Sequence, residues 1–343
     1  MPVLQALFAG LTFGLSAPIS KLLLTTLSPL LLAGLLYLGA GVFLSTVRLL
    51  RRDRRAEGLG LTTAQWATLA GAVVIGGVLA PPLLMWGLSH TPASSTALLL
   101  NLEVAFTALL AAIMFREHLG GRIAAATALM MLGGMWLTWT GGRTDLSLPA
   151  LAVAVACALW ALDNNLTRLI SDLDAVFLAQ VKGLVAGAVN LGFALYLGHH
   201  FPGWISSLLA LVLGAVSYGS SLVLFILAMR ALGAARTAAY FALAPFFGAA
   251  GGVILVGEPL SSRLLVAAGL MGAGAVLLVL ERHGHPHRHK AGIHTHRHVH
   301  DEHHQHRHEG WEGKEPHVHP HATGPFEHEH PHTPDLHHGH GHS

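Results

Sequence analysis

Residues 93–122 read ASSTALLLNLEVAFTALLAAIMFREHLGGR, and residues 234–263 read AARTAAYFALAPFFGAAGGVILVGEPLSSR. A shift of 141 residues lays one stretch on the other. Ala93, Thr96 and Ala97 then meet Ala234, Thr237 and Ala238, and Leu102 and Phe106 meet Leu243 and Phe247. Glu117, Leu119 and Arg122 meet Glu258, Leu260 and Arg263, and further on Leu129, Met130 and Gly133 meet Leu270, Met271 and Gly274. Apolar helices align easily by composition, whereas a charged E-x-L-x-x-R element does not. The first spans agree loosely at a shift of 147, which sets Phe13 on Trp160 and Lys21 on Arg168.

Both stretches lie in a body of apolar runs. The chain has 343 residues, of which 52% are apolar and 11% charged, against roughly 25% charged in soluble domains. A helix crossing the hydrocarbon core needs about 20 apolar residues. Such runs fall at roughly 3–24, 28–49, 65–88, 93–115, 122–140, 149–168, 174–197, 206–229, 235–256 and 262–280. Over such lengths only helices satisfy every backbone group in lipid, and the alternation of a transmembrane β-barrel is absent. The expected fold is therefore all-α and integral to the membrane, with ten transmembrane helices. The first run lacks a basic leader and is too long for a cleavable signal, so it is read as the first span.

Five spans per half is an odd number, so the second half enters the bilayer from the opposite side. Two inverted five-helix repeats, 1–141 and 142–281, are expected, followed by a tail at 282–343. Inverted repeats suit a secondary transporter whose substrate site lies at mid-membrane between the halves. A scaffold or enzyme built by duplication is the plainer alternative. Basic residues orient the chain: Arg48, Arg51, Arg52, Arg54, Arg55, Arg116, Arg122, Arg168, Arg230 and Arg236 lie on one side, against Lys21, Arg143 and Arg263 on the other. The richer side is cytoplasmic, which puts both termini in the cytoplasm and the chain in the plasma (inner) membrane. Trp66, Trp86, Trp136, Trp139 and Trp204 sit near span ends, while Trp160 is an exception within the sixth span. Lone Cys157 excludes an internal disulfide, and no aromatic-basic surface for nucleic acid is present.

Small residues at Gly71, Gly76 and Gly77, at Gly183 and Gly187, and at Gly248, Gly251 and Gly252 should let helices approach closely. Pro81, Pro82 and Pro245 remove amide donors and should kink their helices, with freed carbonyls that can line a cavity or merely adjust packing.

Ionisable residues inside spans cost at least roughly 2.5–3.5 kcal/mol and are functional candidates by default. Glu103 lies mid-span opposite Ala244 in the repeat, so it breaks the symmetry. It could carry a coupling proton, bind a cationic group, or simply be hydrogen-bonded to a neighbouring helix. Asp163 and Lys182 lie at matched depth on consecutive spans, where an ion pair lowers the cost of burying both. The pair could be structural or could exchange partners during a cycle. Asn164, Asn165 and Asn190 add donors and acceptors at that level. Asn101 lies about 200° around the helix from Glu103 and cannot face the same cavity in a regular helix. Glu117 and Glu258 at span ends are expected to pair with Arg122 and Arg263.

The stretches FGLSAPISK (13–21), NLEVAFTALLA (101–111) with REHL (116–119), WALDNNLTR (160–168), KGLVAG (182–187) and GEPL (257–260) resemble the EamA-type members of the drug/metabolite transporter superfamily across about residues 1–281. The resemblance implies a ten-helix inverted-repeat permease for small metabolites, drugs or amino-acid-like solutes, often moved outward. It also implies no enzyme activity and no required cofactor. The chain departs from the family in Val104, where a proline often follows the glutamate, and in its tail.

Of 26 histidines, 22 lie from His283 onward. With few apolar residues to build a core, this tail is expected to be disordered. His283, His285, His287, His289, His294, His296, His298, His300, His303, His304, His306 and His308 are candidate ligands of low selectivity for zinc, nickel, cobalt or copper. Protonation near pH 6.5 could also make the tail a charge switch. The functional expectation is a secondary-active membrane exporter of a small organic metabolite, amino-acid-like solute or drug working by alternating access, with the lipid bilayer, the solute and a coupling proton as partners; the alternatives are a divalent transition-metal permease fed by the tail and a membrane-anchored metal sensor. A homodimer stays open.

Overall fold

The computed structural model describes residues 1–50, 61–115, 120–139 and 147–280, with 284–289, 292–298, 317–323 and 326–331 of the tail. Two compact units result, Met1–Glu281 and Arg282–Ser343.

The first unit is helical. Its helices are α1 (Pro2–Gly14), α2 (Ser16–Leu23), α3 (Pro29–Leu50), α4 (Thr63–Ala72), α5 (Ala80–His90), α6 (Ala93–Leu99), α7 (Asn101–Phe115), α8 (Gly121–Thr138), α9 (Leu148–Arg168) and α10 (Ala175–Tyr196). They continue with α11 (Trp204–Gly214), α12 (Ser221–Leu232), α13 (Ala234–Phe241), α14 (Ala244–Leu255) and α15 (Ser262–Val279). Joined across their breaks, these give nine spans among the described residues that are long and apolar enough to cross a membrane. The apolar run at 122–140, expected as a further span, forms the 18-residue helix α8, which carries Arg122 in its first turn and is not among those nine.

Several spans are discontinuous. Pro18 cannot donate to Gly14, and the first span breaks there into α1 and α2. Pro245 stands in the first turn of α14, just after a break at Ala242–Leu243. The fourth span breaks at Leu100 with no proline: the Glu103 amide donates to Leu100 O, three residues back, at 3.1 Å. Two spans contain π-helical stretches, Val73–Leu79 and Ala215–Ser220. A shift of 141 residues carries the first onto the second.

The first π-stretch shows where proline-freed carbonyls go. The Ala80 amide donates to Ile75 O, and Pro81 and Pro82 have no amide. Gly76 O and Gly77 O therefore have no backbone donor to satisfy them, which is costly in an apolar setting. Side chains fill both places. Trp160 Nε1 and Tyr37 Oη donate to Gly76 O at 2.8 and 3.0 Å, and Asn190 Nδ2 donates to Gly77 O at 3.0 Å. Trp160, out of place as an interfacial residue, is thus explained as a donor to a kink. Trp160→Phe should cost about 1 kcal/mol, because Tyr37 still serves the carbonyl. Adding Tyr37→Phe orphans it and should cost more than the sum of the single changes, as read from detergent melting curves.

Close packing follows the glycines. On α10, a Cβ at Gly183 would lie 2.8 Å from Gly41 Cα of α3, and one at Gly187 would lie 2.6 Å from Leu38 N. Between α8 and α15 the contacts are reciprocal: a Cβ at Gly133 would meet Met271 at 2.8 Å, and one at Gly274 would meet Met130 at 3.1 Å. The 141-residue shift exchanges these two contacts. The repeat likewise relates α5 packing on α9 to α12 packing on α1, α5 falling on α12 at a shift of 141 and α1 on α9 at a shift of 147. Gly71 is a correction to the close-packing expectation, since its nearest neighbour, Leu166, would stand 3.6 Å from a Cβ. The largest core cluster joins Leu31, Leu32, Leu35 and Leu36 to Leu84, Leu88, Leu99 and Val153.

In the second unit the described residues form four short strands: β1 (Gly284–His289), β2 (Gly292–His298), β3 (His317–Thr323) and β4 (Phe326–Pro331). β1 pairs with β4 and β2 with β3, both antiparallel. The period-two His-x-His spacing is itself compatible with extended pairing, because alternate residues of a strand share a face. His283, His300, His303, His304, His306 and His308 lie outside the described residues, as do Glu117 and the links at 51–60, 116–119 and 140–146.

Candidate functional site

The break at Leu100 places the N-terminus of α7 in the middle of the fourth span, with Glu103 in its first turn. A carboxylate there is favoured by the helix dipole. The side chain is half-buried, and its Oε1 accepts from Asn164 Nδ2 at 2.8 Å. The same Asn164 nitrogen lies 3.4 Å from Thr107 Oγ1, whose hydroxyl donates to Glu103 O at 2.7 Å.

Asp163 and Asn164 are neighbours on α9 and point about 100° apart. Asn164 turns to α7. Asp163 is buried and turns to α10, where Lys182 Nζ donates to its two carboxylate oxygens at 2.7 and 2.5 Å. Thr167 Oγ1 also donates to Asp163 Oδ1, at 3.2 Å. Gly76 makes room: any Cβ there would run into the Asp163 carboxylate. A π-helical turn, a glycine and an ion pair thus fit one another. Counted together, Glu103, Asp163 and Lys182 leave one net negative charge, carried by the member whose one bonded partner is a neutral amide.

The other asparagines serve the backbone. Asn165 Nδ2 donates to Ala161 O at 2.8 Å and Thr107 O at 3.2 Å, and Asn190 serves Gly77. Asn101, the first residue of α7, is buried, donating to Leu98 O at 3.1 Å and lying 3.9 Å from Met271 Sδ of α15. Cys157 is buried, with Sγ 3.5 Å from Leu99 O at the same break.

An aromatic row missed in the sequence runs beside this group. Trp160 stands one turn from Asn164 on α9 and touches Tyr37. Tyr37 and Tyr218 have ring centroids 6.1 Å apart, Tyr218 and Phe13 5.7 Å, and Phe13 and Phe241 5.4 Å. All five rings are half-buried. A mid-span Tyr or Trp needs a polar partner, and that rule was the available signal.

A second polar group closes one end of the bundle. Lys21 Nζ donates to Leu88 O at 2.7 Å, Ser89 O at 3.0 Å and Thr91 O at 2.9 Å, so a cation meets carbonyls at the C-terminus of α5. The Glu258–Arg263 pairing expected from sequence is not what forms. Glu258 instead accepts from the amides of Ala93 at 2.5 Å and Ser94 at 2.8 Å. The free amides of a helix start outcompete an exposed guanidinium because they are fixed in place. Gly252 admits the loop, since a Cβ there would lie 2.9 Å from Glu258 Oε2. Beside this contact is a cavity of about 380 Å³ lined by Lys21, His90, Ser95, Glu258 and Leu264. Arg122 Nη1 donates to Leu280 O at 3.3 Å, and its expected partner Glu117 lies outside the described residues. Glu258→Ala should cost about 0.5–2 kcal/mol, the value of a helix cap, measurable as a lower melting midpoint in detergent.

Among the described residues, no three of His, Cys, Asp and Glu come together as metal ligands. The model of the EamA-like transporter family matches the chain twice, over residues 1–139 and 147–280. An uncharacterized transporter of Methanothermobacter thermautotrophicus is 31% identical over 289 residues, covering 79% of this chain and 83% of that protein. A solved crystal structure is similar at a TM-score of 0.57 and 20% identity, over 80% of this chain and 94% of the other, a likeness of fold. The family match over both halves and the likeness to this transporter make the integral membrane protein a transporter and not an enzyme, and the chain belongs to the EamA-like transporter family.

Proposed function

We propose that the protein is a secondary-active exporter of a small organic solute, working by alternating access between two inverted five-helix repeats, 1–141 and 142–281. Ten crossings, with α8 as the fifth, put both termini in the cytoplasm of a cell whose plasma membrane holds the protein. The reciprocal packing of Gly133 on Met271 and Gly274 on Met130 supports two equivalent halves. Substrate and coupling proton use Glu103 and Asn164, beside the aromatic row. The Asp163–Lys182 pair holds α9 against α10 and leaves Glu103 as the uncompensated charge of these three. Glu258 on the amides of Ala93 and Ser94 holds the outer end shut, and its release opens that end.

The observation that carries this reading is Glu103, a mid-span carboxylate at a helix break with an amide for its partner. Burying such a charge is expensive, and proteins retain it where an ion or substrate passes. The test is efflux of labelled candidate solutes from proteoliposomes with an imposed pH gradient. Solute flux that ignores the gradient would remove the proton from the scheme, and no flux of any organic solute would remove the exporter.

The tail binds transition metals as an accessory to this activity. Deleting residues 283–343 should leave organic-solute flux unchanged. Collapse of zinc or nickel flux, with organic flux absent throughout, would make the protein a metal permease.

A further inference from the structure

We propose that α2 and α6, the outer halves of the broken first and fourth spans, swing as one gate, with Lys21 as the brace that joins them and Ser20 as a hydroxyl that meets water or solute only when the gate is open. The gate is the one latched by Glu258, and so stands on the exporter reading proposed for the protein. The first span breaks at Leu15 and the fourth at Leu100, which leaves α2 and α6 as short pieces on one side of their breaks. They pack on each other. Both also pack on α14 of the other repeat: a Cβ at Gly251 would lie 2.8 Å from Pro18 Cγ, and one at Gly248 would lie 2.7 Å from Ala97 Cβ. Glu258 crosses this boundary between the repeats, accepting from the amides of Ala93 and Ser94. Lys21 does not cross it. Its ammonium donates to Leu88 O, Ser89 O and Thr91 O, on the turn that runs directly into α6.

Two ties therefore compete for α2. Packing on α14 holds it to the second repeat, and three hydrogen bonds from Lys21 hold it to the α5–α6 turn. Hydrogen bonds from an ammonium are stronger than neutral ones, and the last carbonyls of a helix are where a cation is favoured. When Glu258 lets go of α6, the brace makes α2 follow α6 instead of staying on α14. The residue beside the brace fits a helix that is uncovered for part of a cycle. Ser20 is 0% exposed, and among the described residues its Oγ has no hydrogen-bond partner. A buried hydroxyl without a partner is costly, and one that opens to water is satisfied in the open state. The gate also reaches the mid-span charge. Leu100 O, at the hinge of α6, accepts from the Glu103 amide at 3.1 Å, so a swing of α6 acts on the first turn of α7.

The experiment measures how fast a hydrophilic maleimide labels one introduced thiol in the full-length, detergent-purified protein carrying Cys157→Ala. Ser20→Cys reports on α2 and Leu98→Cys on α6, and both positions are 0% exposed. Glu258→Ala should speed labelling at both probes by about tenfold, the shift expected from losing one charge-assisted hydrogen bond. Adding Lys21→Met should leave the Leu98 probe fast and return the Ser20 probe toward its parental rate. Adding Lys21→Arg instead, which keeps a cation with several donors, should leave both probes fast. Fast labelling of Ser20→Cys in the Lys21→Met, Glu258→Ala protein would overturn the proposal, because α2 would then move without its brace. Labelling of Leu98→Cys alone in the Glu258→Ala protein would also overturn it, because α2 would then stand outside the gate. A Glu258→Ala protein in which neither probe responds would overturn the latch at Glu258 together with the brace. Leu44→Cys, buried toward the other end of α3, should stay slow in every variant, which keeps a failure to fold from passing as an opening.

Discussion

Glu103→Gln is expected to abolish proton-driven solute flux while leaving the protein at least as stable as the parent. Glutamine keeps the size of the side chain and the contact with Asn164, which is 2.8 Å long in the parent. It removes a charge whose burial at mid-helix costs at least roughly 2.5–3.5 kcal/mol. A residue kept for packing would behave in the opposite way, with stability falling and flux following it. Divergence of the two readouts is therefore the signature of a working charge. The measurement pairs flux in proteoliposomes with melting in detergent. Flux that stays at the parent level with an unchanged pH dependence would show that neither substrate nor proton needs the carboxylate. Asn164→Leu should weaken flux less, because Thr107 and the start of α7 still hold Glu103 in place.

The helices and the mid-span charges were legible in the sequence because both are matters of composition and period. A run of about 20 apolar residues has one outcome in lipid, and a carboxylate in such a run stands out. The 141-residue shift was legible through its charged element. The bonding partners were not legible. Glu258 has an arginine five residues on in sequence but finds the start of α6 in space, and sequence distance favours the wrong partner. Span four breaks without the proline that breaks span nine, because a three-residue turn at Leu100 suffices. The π-stretch at Val73–Leu79 shifts the hydrogen-bond register by one residue. That single step decides which carbonyls are left for Tyr37, Trp160 and Asn190, and no periodicity reports it.

Lys182→Met should be among the most destabilising single substitutions in the body, and its remedy separates structure from transport. Removing the ammonium leaves Asp163, 5% exposed, with Thr167 as its remaining side-chain donor and Gly76 packed against it. Breaking a buried pair in this way costs about 3–5 kcal/mol, because the surviving charge is left uncompensated. Neutralising the survivor should recover most of that loss. The double variant Asp163→Asn, Lys182→Met therefore should melt within a few degrees of the parent, while each single variant melts well below it. Charge counting fixes the expectation for flux. The parent and the double variant both keep one net negative charge at mid-membrane, on Glu103. Lys182→Met alone carries two, and Glu103→Gln carries none. If the pair acts by holding α9 against α10, the double variant transports and the Lys182 variant does not. If Asp163 or Lys182 instead exchanges partners with the solute, the double variant will be stable and silent, and the net charge at the break will not be what the transporter uses.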